Sequence, residues 1–131
     1  MTRFFVHVIY LISVVAAVAA LLNPSAAAAA DRVYLSRADI EAGLVGKPVM
    51  SKNLSSGSMS HWEFRSDGTV EASRTGLGRA SGTWVIHDDG RMCVTMVNRT
   101  VCRYWFRTAT SLANADTMSP DAPTVAEVRF D

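Results

Sequence analysis

The stretch that decides the fold is H-W-E-F-R-S-D-G-T-V-E-A-S, residues 61–73. The S-D-G triplet at residues 66–68 predicts a three-residue hairpin loop, with its glycine in the left-handed conformation. The predicted apolar pairs across this hairpin are Phe64 with Val70 and Trp62 with Ala72. The intervening residues are polar, and one apolar face backed by a polar one is typical of a half-buried antiparallel sheet.

The same turn chemistry recurs at D-D-G, residues 88–90. It predicts the pairs Ile86 with Met92, Trp84 with Val94, and Val85 with Cys93. A third hairpin is predicted to turn near residues 97–99, which sets Cys93 opposite Cys102 and Val94 opposite Val101. In that register Arg103 falls on the core face, where it fits poorly. A bulge, a rim position or a wrong register would each explain this misfit.

The flanking segments complete the fold prediction. Ser36 is a candidate N-cap for a short helix over Arg37–Ala42, with Ile40 and Leu44 facing inward. The helix is expected to cover part of the second sheet face, the one that carries Val85. The alternative is that an exposed remainder of this face is a partner surface. Residues 108–123 are rich in small and polar residues and predict a loop, whereas residues 124–130 predict a closing strand. The expected fold class is mostly β: an antiparallel β-meander or partly closed small barrel with one short N-terminal helix.

The N-terminal residues 1–30 have the order of features found in a secretory signal peptide. Arg3 precedes a long apolar stretch, Pro24 interrupts it, and an alanine run at residues 26–30 offers cleavage sites. The alternative is an uncleaved membrane anchor, because the apolar stretch is nearly long enough to span a bilayer. The signal peptide predicts export, to the periplasm or the medium, and leaves residues 31–131 as one small domain.

Cys93 and Cys102 are the only cysteines, and export favours their oxidation. No histidine lies close enough in sequence to suggest a zinc site, and the spacing is not that of a C-x-x-C redox motif. The sequence therefore predicts a structural disulfide. In the chain-entropy treatment, a disulfide that closes so short a loop stabilises the fold by a little less than about 3 kcal/mol, the value for a loop of about 15 residues.

The charge of the domain is balanced. Arg3 is the only charged residue among residues 1–30, so 12 of the 13 basic side chains remain against 12 acidic ones. No basic cluster interrupts this balance, so nothing indicates a nucleic-acid partner. A membrane contact is expected only through the signal segment, if that segment stays uncleaved.

No catalytic constellation stands out. The domain contains only His61 and His87 as histidine bases, and no serine lies in a G-x-S-x-G motif. His61, Glu63 and Glu71 share the polar sheet face, but nothing in their spacing demands a metal. The sequence thus indicates no catalytic residues, no metal site and no cofactor.

Two features are candidate ligand-binding sites. Trp62, Trp84 and Trp105 either form the core of a filled sheet or line a cavity. The loop Thr75–Arg79 contains Gly76 and Gly78 and ends in Arg79, so its amides and guanidinium could contact an anion. The alternative for that loop is a plain connection between strands.

An ordered set of short motifs carries a family resemblance. In sequence order these are G-K at 46–47, W-E-F-R-S-D-G at 62–68, G-T-W at 82–84, D-G-R-M-C at 89–93, and Cys102. The set resembles the small exported proteobacterial proteins of domain-of-unknown-function family 995. The resemblance implies an antiparallel β domain with a paired cysteine hairpin, and no catalytic residues that could be transferred. A looser likeness is to lipocalin-like and protease-inhibitor β-barrels, although too few strands are predicted for a complete eight-stranded barrel.

The leading functional hypothesis is an exported, non-catalytic binding module for a protein or a small apolar ligand. One alternative is a hydrolase or metal-dependent enzyme that uses His61, Glu63 or His87. The other is a structural or stress-related envelope protein without a small ligand.

Overall fold

A computed structural model describes residues 31–131, and the predicted signal peptide lies outside the described residues. The elements in chain order are β1 (Val33–Tyr34), α1 (Arg37–Gly43), β2 (Pro48–Asn53), β3 (Met59–Phe64), β4 (Thr69–Arg74), β5 (Gly78–Ile86), β6 (Arg91–Met96), β7 (Arg99–Arg107), β8 (Leu112–Ala115) and β9 (Thr124–Phe130). The domain is therefore mostly β with one short helix, as predicted.

Strands β2 to β9 form a closed antiparallel barrel of eight strands. Each pairs with the next along the chain, and β9 returns to pair with β2. The short strand β1 is a ninth strand and pairs with the C-terminal part of β7. The barrel is thus fully closed rather than partly closed, and closure leaves no unpaired edge within the ring.

The registers of all three predicted hairpins are confirmed. Phe64 pairs with Val70 and Ile86 with Met92, and the turn glycines Gly68 and Gly90 have φ of 87° and 83°. The third hairpin also has the predicted register. Its turn is the two-residue segment 97–98, where both φ values are positive, as a tight hairpin of right-handed twist requires.

The prediction of a loop over residues 108–123 is wrong at β8. All four residues of this strand are buried, so it shows none of the apolar–polar alternation that identifies a strand in a sequence. Leu112 belongs to the main core, whereas Ala113 and Ala115 pack with Ala122 of the following segment. The expectation of too few strands for an eight-stranded barrel is wrong for the same reason.

Helix α1 closes one end of the barrel. A complete capping box joins Ser36 and Asp39, and the helix extends one residue beyond the predicted Ala42. Ile40 and Leu44 are 0% and 2% exposed and pack in the same cluster as the inward-facing core residues. The expectation that the helix covers the outer face is therefore wrong, and Val85 on that face remains 51% exposed.

Candidate functional site

The barrel is hollow. Its interior contains a cavity of about 460 Å³, within the range of about 300–1,000 Å³ that is usual for small-molecule sites. The cavity opens at the end of the barrel opposite α1, which we call the mouth. The residues at the mouth are Asn53, Ser58, Arg74, Met96 and Arg99.

The part of the cavity nearest α1, which we call the floor, is mostly apolar, with Arg103 and Asn114 at its border. It is formed by Val49, Phe64, Met92 and Trp105, all of them buried. The ring of Phe64 lies 6.5 Å from that of Trp105, nearly perpendicular to it, and stacks at 5.9 Å on Trp62. The floor therefore offers aromatic and aliphatic surface to a ligand that enters from the mouth.

Three arginines line the cavity: Arg74, Arg99 and Arg103. Arg103 is engaged, because its Nη1 contacts Asp116 Oδ1 at 2.7 Å and donates to the Cys102 carbonyl at 2.9 Å. Arg74 Nε donates to Ser60 Oγ at 3.2 Å. Within residues 31–131, no carboxylate lines the cavity, and neither Arg74 nor Arg99 forms a salt bridge. The mouth is therefore cationic.

The position of Arg103 explains its misfit in the sequence. The predicted register is correct, since Arg103 pairs with Met92 and faces inward. No bulge is needed, because the barrel is hollow at this level and Asp116 reaches the guanidinium from just beyond β8. A solid sheet core would leave this charge unpaired at a high cost.

A buried amide lies on the cavity wall. Asn114 is 7% exposed, and its Oδ1 has no hydrogen-bond partner among residues 31–131. Such an unsatisfied buried polar atom costs about 1–3 kcal/mol. A rotation of the amide by half a turn would exchange its oxygen for its NH₂, so Asn114 could serve either an acceptor or a donor on a ligand.

Of the three tryptophans predicted to line a cavity, two do so in the structure and one does not. Trp62 and Trp105 line the cavity. Trp84 packs against the core without lining the cavity, and its indole Nε1 donates to the Arg65 carbonyl at 2.8 Å. The cavity prediction is thus correct for Trp62 and Trp105 and wrong for Trp84.

The loop Thr75–Arg79 lies at the mouth end of the barrel but does not line the cavity. Gly76 and Gly78 both have φ of 80°, which suits the tight connection from β4 to β5. Arg79 lies outside the barrel, where its Nη1 contacts Glu71 Oε1 at 3.0 Å. The mouth instead has Arg74, just before the loop, and Arg99 as its cationic residues.

Four residues of the cavity wall were not predicted to bind a ligand: Arg74, Arg99, Arg103 and Asn114. The period-two pattern carried a signal for Arg74, because it follows Ala72 on the same face of β4. The confirmed third hairpin carried a similar signal for Arg99 and Arg103. For Asn114 no signal existed, since its strand was not recognised.

The outer polar face contains His61 and Glu63 of the enzyme hypothesis, whereas His87 lies apart from them in the turn between β5 and β6. Arg65 contacts both Glu63 and Glu71, at 3.4 and 3.3 Å, and so bridges two carboxylates that lie directly opposite each other. His61 Nδ1 lies 3.0 Å from Asp131 Oδ2. In the part of the chain that the structure describes, no three His, Cys, Asp or Glu side chains are grouped to hold a metal ion.

The carboxyl groups whose pKa is lowered lie in chain turns or in the first turn of α1 rather than in the cavity. Hydrogen bonds from the hydroxyl and amide of Thr69 lower the pKa of Asp67. The Arg91 amide, and then the Tyr104 hydroxyl, lower the pKa of Asp89. These aspartates therefore act as anionic acceptors that stabilise the first two hairpin loops.

The predicted disulfide is present between Cys93 and Cys102, whose Cα atoms are 4.0 Å apart on directly opposed positions of β6 and β7. It is compatible with an oxidising compartment outside the cytosol. Among residues 31–131, no helix is long and apolar enough to span a membrane.

No protein-family model, curated protein or solved structure matches this chain. The resemblance to family 995 therefore stays a prediction.

Proposed function

We propose that this protein is an exported, non-catalytic binding module that holds a small, largely apolar ligand inside its barrel, in the periplasm or the medium. The observation that carries the proposal is the cavity of about 460 Å³ behind an open mouth, with Trp62 and Trp105 in its wall. Barrels of eight strands are just wide enough either to be filled by side chains or to hold one small ligand.

The other features of the chain support the same proposal. The signal-like residues 1–30 and the disulfide both favour export. A small ligand is favoured over a protein partner because the lining is concave and inside the ring. An enzyme is less favoured, because Glu63 and Glu71 lie outside the barrel and already contact arginine side chains.

The test is binding of N-phenyl-1-naphthylamine, a neutral dye whose emission rises in apolar surroundings, to the protein recovered after export. We expect a saturable rise. Val94→Trp should weaken binding by about tenfold, because Val94 lines the cavity and the larger ring would occupy part of the space that the dye needs. The matched control is Val85→Trp, which adds the same ring to an exposed position on the neighbouring strand and should bind as the wild type does.

Folding of each variant is checked by near-ultraviolet circular dichroism and thermal unfolding. If Val94→Trp does not fold, Val101→Trp places the same ring in the cavity from the opposing strand. The proposal is overturned if the wild type shows no saturable binding. It is equally overturned if a folded variant with the added ring inside the cavity binds the dye as tightly as the Val85→Trp control.

A further inference from the structure

We infer that the ligand is an amphipathic anion: an apolar chain or ring with one acidic head group, bound with the head group at the mouth between Arg74 and Arg99. This inference rests on the proposed function and specifies the chemistry of the same site. It follows from how polarity changes along the cavity, from the charge of its lining and from the buried amide of Asn114.

The cavity changes in character from the floor to the mouth. The floor is aromatic and aliphatic apart from Arg103, which lies opposite Met92 and is paired with Asp116. By contrast, Arg74 ends β4 and Arg99 begins β7, both at the open end and both without a salt bridge among the described residues. Strands β4 and β7 are separated by two strands in the ring, so the two guanidinium groups approach the mouth from different sides. A ligand with one apolar end and one polar end therefore fits in one direction, with its apolar end toward α1.

The charge of the lining selects an anion. The domain as a whole is balanced, with 12 basic and 12 acidic side chains in residues 31–131. Yet the described cavity lining includes three arginines and no carboxylate, and Asp116 contacts only Arg103. Arg74 and Arg99 leave a local positive potential at the entrance of a concave, partly apolar site, which concentrates anionic ligands.

Arginine also has the right geometry for an acidic head group. Its planar guanidinium can donate two parallel hydrogen bonds to a carboxylate, phosphate or sulfonate. Arg74 and Arg99 are exposed at the mouth, so a head group bound there would keep part of its hydration. A cationic ligand would instead meet like charge at the entrance.

The amide of Asn114 argues against a pure hydrocarbon as the occupant. A hydrocarbon of matching size would leave Oδ1 without a partner inside the protein. Asn114 lies beside the floor, opposite Trp105 on the neighbouring strand. A ligand with a polar group along its length would satisfy this amide as well as the arginines at the mouth.

The experiment compares decanoate, decan-1-ol and decyltrimethylammonium by isothermal titration calorimetry at neutral pH, where the carboxylate is ionised. The three probes share a chain and differ in head-group charge. The test variant is Arg74→Gln/Arg99→Gln. The matched control, Arg79→Gln/Arg129→Gln, removes the same charge from exposed outer positions and also tests the Thr75–Arg79 loop.

We expect the wild type to bind decanoate more tightly than either other probe. The Arg74→Gln/Arg99→Gln variant should lose about tenfold in decanoate affinity and change little toward decan-1-ol. The control should bind all three as the wild type does. The preference for decanoate should also weaken as salt is raised.

Other outcomes separate this inference from the proposed function. Equal wild-type affinity for decanoate and decan-1-ol would overturn the anionic head group and leave the apolar cavity standing. Tighter binding of decyltrimethylammonium than of decanoate would also overturn the anionic head group and leave the apolar cavity standing. A decanoate preference that survives in the Arg74→Gln/Arg99→Gln variant would overturn the assignment to these arginines. Binding of none of the probes, together with failure of the neutral dye, would overturn both proposals.

Discussion

Breaking the bond between Cys93 and Cys102 should destabilise the barrel without changing its fold. The bond can be removed by reduction of the wild type or by the double substitution Cys93→Ala/Cys102→Ala. Reduction leaves every side chain in place, so it is the cleaner perturbation. The double substitution also removes the sulfur of Cys93, which is 6% exposed, and should therefore cost slightly more.

The size of the effect follows from the loop that the bond closes. The two cysteines are 9 positions apart. In the chain-entropy treatment, a loop of this length removes entropy from the unfolded chain worth about 2.6 kcal/mol at 25 °C. For a domain of this size, that corresponds to a fall in Tm of roughly 10–20 °C. Typical domains are stable by about 5–15 kcal/mol, so the reduced protein should still fold.

The assay is urea unfolding followed by tryptophan emission, with and without a reductant. Linear extrapolation gives the free energy of unfolding of each form. The m-value, which is the slope of the free energy of unfolding against urea concentration, should also rise on reduction, because the unfolded chain without the bond exposes more surface. The matched control is Thr95→Ala/Thr100→Ala, the next directly opposed pair on the same face, whose hydroxyl groups are 2.8 Å apart. A cross-strand pair of this kind stabilises a sheet by only about 0.2–1 kcal/mol, so its removal should lower the free energy of unfolding by much less than reduction does.

Two results would refute this reasoning. A loss of less than about 1 kcal/mol on reduction would mean that the tight turn at residues 97–98 already restricts the unfolded chain as much as the bond does. Complete unfolding on reduction would mean that barrel closure itself depends on the bond, contrary to the extensive pairing of β2, β8 and β9 outside this hairpin.

Two other predictions concern the closed end and the turns. Ile40→Ala should lower the free energy of unfolding by about 2–5 kcal/mol in urea, because Ile40 is 0% exposed where α1 closes the barrel. Asp88→Ala, at an exposed turn position, should change it little, and equal losses would contradict the closing role of α1. Acid should destabilise the protein below about pH 4, since the pKa values of Asp67 and Asp89 are lowered in the folded state and the unfolded chain binds protons first. The stability that these groups contribute is present above the unfolded pKa and is lost as pH falls through the folded one. In the Asp67→Asn/Asp89→Asn variant, Tm should fall less steeply than in the wild type as the pH is lowered below about 4. An equally steep fall would contradict this cause.

Local chemistry made the three hairpins predictable from the sequence. Each turn triplet or doublet sets the register of the strands on either side, and period two then assigns each residue to a face. The pairing of Cys93 with Cys102 follows from that register without knowledge of the barrel. The capping box of Ser36 and Asp39 is equally local, since it involves residues only three positions apart.

Closure and the hollow interior were decided by the tertiary structure. Strand β8 is buried on both faces, because Leu112 and Asn114 face the barrel interior while Ala113 and Ala115 pack against Ala122 outside. Its short run L-A-N-A therefore lacks any alternation that a sequence pattern could detect. The pairing of β2 with β9 joins residues far apart in the chain, and no turn specifies it.

The stretch at residues 61–73 thus determined a hairpin, its register and its inward-facing residues, but not what those residues face. Trp62 and Phe64 would point inward in a filled barrel as well as in a hollow one. Whether space remains depends on the summed volume of side chains from all eight strands, which no single hairpin contains. That space is also what lets Arg74, Arg99 and Arg103 share an interior with aromatic rings, because charged side chains face inward only where a cavity or a partner accommodates them.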